Sequence, residues 1–261
     1  MPIFSGARPL KRWRYVGVFS EELMACAALV QVGFARQSFW ALYRRDGDRD
    51  ELRERTRTLP RRREPRLERG RLLLRDRGVA LELQLDEDAG IETTCPNGGG
   101  KHVWTRKQAG IAARGTLALD GRPPHELSAR AVIDDTAGYH ARRTEWWWSA
   151  GVGHAPDGTA LAWNLVSGVN DPPRGSERAV WVDGSPSEPP PVEFSESLRR
   201  IHCADGSTLR FHPEAERAHS QSLLLVKSDY RAPFGTFSGM LPGGIALAHG
   251  LGVVEHHRAL W

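Results

Sequence analysis

Asp-Gly pairs place the strongest constraint on what this chain can fold into. They occur at Asp46-Gly47, Asp120-Gly121, Asp157-Gly158, Asp183-Gly184 and Asp205-Gly206. Both residue types tolerate positive φ, the backbone state a tight hairpin turn demands. The flanking text is strand-like. Residues 79–85 and 111–119 alternate apolar and polar side chains, and residues 129–135 return after Asp120-Gly121. A period of two puts each set on its own face of a strand. Short Trp- and Val-rich runs follow at 146–151, 160–166 and 179–182, then at 192–194, 208–211 and 222–226. Many short strands joined by turns predict an all-β fold, an antiparallel barrel or sandwich.

Helical periodicity is scarce. The best candidate, residues 20–41, has Ser20 as a possible cap but is interrupted by Gly33, and it reads as strand or mixed. No stretch of 20–50 residues repeats in the text, so a solenoid or propeller is not indicated. The expected division is an N-terminal β-barrel-like half over 1–110 and a C-terminal half over 111–261. Residues 185–191 read as an extended connector.

The 261 residues suffice for a sizeable core. The longest apolar run, 23–30, is far short of a membrane helix, and the N-terminal text does not read as a signal peptide. The expected location is cytoplasmic. Charge is uneven: residues 44–77 hold 14 Arg against 8 Asp or Glu, while the whole chain is +4 with only four Lys. The acids are interleaved and no aromatic lies among those arginines. A salt-bridged polar surface is therefore expected rather than a nucleic-acid arm. Cys26, Cys95 and Cys203 are far apart and form no metal or redox motif. His256 and His257 are adjacent, so they point to opposite faces of a strand, and His212 and His219 form no local pair. No metal and no cofactor are expected. The Gly-rich 97–102 lacks phosphate-loop spacing and reads as a flexible loop.

The densest chemistry lies between Asp134 and Asp183. It includes Asp134, Asp135, Tyr139, His140, Glu145, Trp146, Trp148, Trp163, Asn164, Asn170, Glu177 and Trp181. On a strand, Glu145 shares a face with Trp147, whereas Thr144, Trp146 and Trp148 share the other. Leu161, Trp163 and Leu165 oppose Ala162, Asn164 and Val166 in the same way. A carboxylate turned inward among indoles would have a raised pKa and keep a proton near neutral pH. Glu145 could instead pair with Arg142 or Arg143 at the surface. Near the C-terminus Glu255 and His257 share a face, as a dyad or as a latch closing the last strand.

An ordered set of motifs adds to this. It runs Trp104-x-x-Lys107, Ile133-Asp134-Asp135-x-x-Gly138-Tyr139, and Arg143-Thr144-Glu145-Trp146-x-Trp148-x-x-Gly151. Asp157-Gly158-x-x-x-x-Trp163-Asn164 and Glu177-x-x-x-Trp181-Val182-Asp183-Gly184 follow. Gly235-x-Phe237-x-Gly239 and Gly252-x-x-Glu255-x-His257 close it. Over residues 100–261 the set resembles the family of domain of unknown function 2804, and more weakly before that. Members carry more sequence ahead of the matching part, so an opening strand is expected to be missing or replaced here.

The resemblance implies a lipocalin-like architecture of two packed barrels, or a barrel with a partial one. Carotenoid hydratase-like and tocopherol cyclase-like proteins share it and handle greasy, often isoprenoid molecules. None of their catalytic residues maps onto this chain one by one. The expected partner is a hydrophobic small molecule held by Trp146, Trp148, Trp163, Asn164 and Trp181. The alternative is a cofactor-independent isomerase, hydratase or cyclase. Glu145, Asp134 or Asp135 would then donate the proton, with Tyr139 and His140 in reserve.

Overall fold

The structure is a computed structural model and describes residues 1–45, 51–58, 65–223 and 226–260. Every strand pairing is antiparallel, and no helix occurs among the described residues. The strands of the first part are β1 (Phe4–Ser5), β2 (Arg8–Pro9), β3 (Lys11–Phe19), β4 (Leu23–Val32), β5 (Ala35–Arg44), β6 (Glu51–Arg57), β7 (Arg66–Glu68), β8 (Arg71–Asp76), β9 (Val79–Leu85), β10 (Ile91–Pro96), β11 (His102–Leu119) and β12 (His125–Gly138). Those of the second are β13 (Arg143–His154), β14 (Ala160–Ser167), β15 (Ala179–Val182), β16 (Ser185–Ser187), β17 (Val192–Phe194), β18 (Arg200–Cys203), β19 (Thr208–Leu223), β20 (Val226–Leu241) and β21 (Ile245–Leu260).

The N-terminal sheet runs β6-β5-β4-β3-β12-β11-β9-β8-β7, with β10 also on β11. The C-terminal sheet runs β16-β15-β14-β13-β21-β20-β19-β18-β17. The plan is the same in both. Four strands step outward, the chain crosses to the far edge, and the remaining strands step back until the last pairs with the first. This duplication is one of topology, and no short repeat in the text announces it. The chain passes from one sheet to the other between Gly138 and Arg143, whereas position 110/111 falls inside β11.

Three apolar clusters follow from two-faced burial. Val16, Val18, Trp40 and Leu42 join Leu72, Leu81 and Ile133 inside the N-terminal sheet. Leu161, Trp163, Leu165 and Phe237 fill the C-terminal one. Tyr15, Phe19, Met24, Cys26, Tyr43, Trp148, Ala162 and Val166 meet between the sheets. Strand β4 contributes to two of the clusters, Leu23, Ala25 and Ala27 inward and Met24, Cys26 and Ala28 outward. Burial on both faces explains the apolar run 23–30, since neither face needs polar residues. Residues 20–41 are accordingly a hairpin of β4 and β5, and Gly33, at φ +57°, is in its turn.

Bulges let one long strand serve two clusters. In β11 the pairing shifts between Ala109 and Ile111. Ala109 therefore faces the other sheet, while Ile111 enters the N-terminal core. An unbroken strand would put both on one face. Strand β19 does the same, with a shift between Pro213 and Ala215 that separates Phe211 from Ala215.

The turns obey the expected chemistry. Asp183 and Gly184 (φ +46° and +80°) join β15 to β16, and Asp120 and Gly121 (φ +54° and +74°) follow β11. Asp46-Gly47 lies outside the described residues. Several arginines of 44–77 hold carboxylates: Arg53 bonds Asp120 at 2.7 Å, and Arg57 bonds the fully buried Asp76 at 3.0 Å. Trp40 Nε1 also donates to Asp76 at 3.1 Å, which ties the ends of the curled N-terminal sheet together. No helix among the described residues is long and apolar enough to cross a membrane.

Candidate functional site

Directly opposed residues on three neighbouring strands form a row on each sheet. Lys107, Asp134 and Tyr15 align across β11, β12 and β3. Tyr230, His257 and Trp146 align across β20, β21 and β13. The two rows border a single cavity of about 130 Å³ between the sheets. That is close to the ~150 Å³ of an engineered cavity that takes up benzene. Trp13, Phe39, Trp146 and Tyr230 around it are half-buried, so its mouth lies on their side.

The indole N–H groups are already committed. Trp13 Nε1 donates to Asp134 Oδ2 at 3.0 Å, Trp146 Nε1 to Glu255 Oε1 at 2.9 Å, and Trp148 Nε1 to Asn164 Oδ1 at 2.8 Å. What these rings offer the cavity is their carbon surface.

Beneath the aromatic surface lies a buried ionic cluster. Lys107 Nζ sits 2.7 Å from Asp134 Oδ1 and 3.3 Å from Glu177 Oε1. Thr136 donates to Asp134 at 2.7 Å, and Asn170 Nδ2 donates to Glu177 Oε2 at 2.9 Å. Burial works against the Lys107 charge, but the two carboxylates outweigh it and raise the lysine pKa. One ammonium cannot neutralise two carboxylates. Burial pushes the Glu177 carboxyl up, and Lys107 offsets this only in part. The Lys107–Glu177 pair crosses between the sheets. Glu177 is positioned by a loop that folds back on itself: Glu177 N bonds Asn170 O at 3.1 Å, and buried Arg178 donates to the carbonyls of Asp171 and Pro172. Asn170 turns that loop at φ +52°, a conformation asparagine tolerates better than most residues.

Other polar groups border the cavity with few or no protein partners among the described residues. His140, 2% exposed, lies 5.3 Å from Trp13 with the rings tilted by 32°, and among the described residues its ring makes only a loose contact, with the Gly138 backbone. Burial, with the nearby charges of Lys11 and Lys107, pushes its pKa down to about 3. Asn170 Oδ1 and Tyr230 Oη lack partners among the described residues. Burial pushes the Tyr230 phenol up. Glu255 and His257 approach to 3.7 Å, and His257 Nε2 is 2.8 Å from Ser228 Oγ.

The residues singled out in the sequence divide into those at the cavity and those away from it. Asp134, Trp146 and Trp148 line the cavity. Asn164 stands behind it, holding the Trp148 indole and donating to the Glu177 carbonyl at 2.7 Å. Trp181 is buried in the cluster between the sheets. Trp163 points the opposite way, into the C-terminal core, where it donates to Ser149. Tyr139 is buried with its hydroxyl on the Pro2 carbonyl at 2.7 Å. Asp135 faces away from Asp134 and binds Arg14 and Arg106, each at 2.8 Å.

Glu145 departs most from its expected role. Its side chain is 39% exposed and held by Arg258 at 2.7 Å and His256 at 2.8 Å. Those bonds lower its pKa, the reverse of what a proton donor needs. The surface partners come from β21 rather than from Arg142 or Arg143, because the register sets Glu145 opposite Arg258.

Sequence reasoning did not assign roles to Trp13, Tyr15 and Lys107. The available signal for Lys107 was its rarity, one of four lysines in an arginine-rich chain.

Among solved structures, kievitone hydratase from Nectria haematococca aligns over 94% of this chain and 88% of its own, with TM-score 0.55 and 13% identity. An AttH-like protein from Nitrosomonas europaea aligns over 97% and 93%, with TM-score 0.52 and 11% identity. At such identities the likeness is one of fold, and it matches the hydratase-like architecture the motifs implied. No curated protein matches the chain in sequence. The family model described as Domain of unknown function (DUF2804) matches residues 63–261, reaching further toward the N-terminus than the strong motifs, and the chain belongs to that family.

Proposed function

We propose that this chain binds a hydrophobic small molecule in the cavity between its two sheets. The observation that carries the reading is the arrangement of Trp13, Trp146 and Trp148. Their N–H groups are bonded to the protein while their rings border a ring-sized space. A concave apolar site with a few fixed polar groups is the usual form of a small-molecule pocket. The test is native mass spectrometry of protein purified from its own host, followed by solvent extraction. A stoichiometric apolar molecule supports the reading. Protein that emerges empty, and stays empty after incubation with host lipid extract, contradicts it.

A second reading rests on a different observation. Glu177 is fully buried, has a raised pKa and stands beside Lys107 and Asp134. Such a carboxylic acid can deliver a proton to an alkene or a carbonyl. The chain would then be a cofactor-independent hydratase, isomerase or cyclase, with Asp134 and Lys107 holding the acid in place and the indole faces stabilising developing positive charge. Shared fold with a hydratase is compatible with this but does not fix an activity. Glu177→Gln should retain ligand binding and abolish turnover of the extracted molecule. Unchanged turnover would remove Glu177 from the mechanism.

A further inference from the structure

Resting on the binding reading above, the cavity's polar groups narrow the class of molecule it takes. The wall polar atoms fall into two sets. One is satisfied: the three indole N–H groups, Lys107, and the carboxylate of Asp134 all have protein partners. The other is not: Asn170 Oδ1 and Tyr230 Oη have none among the described residues, and His140 has at most one contact, to the Gly138 backbone, which leaves its second ring nitrogen unpaired. His140 is 2% exposed and Asn170 7% exposed, and all three residues border the cavity. Buried polar atoms left unpaired are costly, and native proteins rarely keep several around one cavity without a partner.

The unpaired set specifies what is missing. Asn170 Oδ1 only accepts, and its orientation is fixed because Nδ2 is committed to Glu177. With its N–H turned to the Gly138 backbone, neutral His140 keeps one accepting nitrogen. A phenolic hydroxyl such as Tyr230 can do either. A partner for these groups must donate a hydrogen bond to Asn170 Oδ1 or the His140 nitrogen, and it can accept one from Tyr230 Oη, as a hydroxyl does. A bare hydrocarbon leaves every one of these atoms unpaired. An anionic headgroup is also mismatched. Lys107 already faces Asp134 and Glu177, Glu255 adds a further carboxylate on the opposite wall, and Asn170 presents an oxygen.

We infer that the cavity is built for a neutral, ring-sized group bearing a hydroxyl, a phenol or cyclic alcohol, seated among the indole faces with its oxygen toward the unpaired atoms of His140, Asn170 and Tyr230.

The test is a set of three para-substituted toluenes of nearly equal size: p-cresol, p-xylene and p-toluate. Affinities are read by ligand-observed NMR on the intact chain. p-Cresol is expected to bind at least about tenfold more tightly than p-xylene, the value of one or two net hydrogen bonds, and p-toluate to bind more weakly still. In Tyr230→Phe or His140→Phe the cresol advantage should shrink about threefold or more, with p-xylene affinity held; Tyr230→Phe removes a single oxygen and guards against misfolding of the histidine variant. If p-xylene or p-toluate equals p-cresol, the hydroxyl assignment is overturned while the cavity remains a binding site. If none of the three binds saturably, both this inference and the binding reading fail.

Discussion

The N-terminal and C-terminal sheets share one strand order, yet they send different chemistry into the space between them. The N-terminal row is Lys107, Asp134 and Tyr15, whose ionic members are held together and tied across to Glu177. The C-terminal row is Tyr230, His257 and Trp146, mostly rings, with Glu255 bonded to the indole. Repeating a topology thus gives two equivalent platforms, and substitution on the facing strands makes one wall charged and the other aromatic. A small molecule between them meets both at once.

The largest expected effect lies on the charged wall. Lys107→Met leaves Asp134 and Glu177 buried without their cation. Stability should fall by about 3–5 kcal/mol, the range for breaking a buried ion pair from one side. Urea unfolding would measure it. Adding Glu177→Gln should restore part of the loss, and an unimproved double variant would show that the two sheets are not coupled through this pair.

His140 sharpens the contrast next, through pH. Its folded pKa of about 3 lies below the ordinary 6.5. Between these values the unfolded chain binds a proton that the folded chain refuses, so stability falls as pH drops below 6.5. From there to about pH 5 the loss from this one group is about 2 kcal/mol. The check is the difference between the unfolding profiles of the native chain and of His140→Phe, which should be flatter by that amount.

The aromatic wall should be more forgiving. Trp146→Phe removes the bond to Glu255, but that carboxylate is partly exposed and water can replace the indole. A cost of about 1 kcal/mol is expected, by thermal or urea unfolding. The smallest effect belongs outside both walls: Glu145→Gln should change stability by less than about 1 kcal/mol, the ceiling for most exposed ion pairs. It should leave ligand affinity unchanged. A large loss of binding in that variant would return Glu145 to the site.

Much of this was readable beforehand. Strand alternation correctly set Trp146 and Trp148 apart from Trp147, and Asn164 apart from Trp163, because the period of two is a backbone property. The Asp-Gly turns and the all-β fold follow from the same local rules. What local text could not supply was which of two buried faces looks toward the other sheet. In β4 and β14 both faces are apolar, so no contrast marks the outer one, and Trp163 was as plausible a cavity residue as Trp148. Nor could it supply partners distant along the chain. Glu145 and Glu177 are both glutamates among tryptophans. Register places Arg258 opposite the first, and the fold of the loop brings Lys107 to the second. A buried carboxyl with a raised pKa does border the cavity, and it is Glu177 rather than Glu145.

The nine tryptophans report directly on where a small apolar molecule sits. Trp13, Trp146 and Trp148 border the cavity, whereas Trp40 and Trp163 are sealed in the two sheet cores. Titrating p-cresol while recording the indole N–H resonances should shift the first three and leave the last two in place. Shifts centred on Trp40 or Trp163, or spread evenly over all the indoles, would contradict a binding site between the sheets.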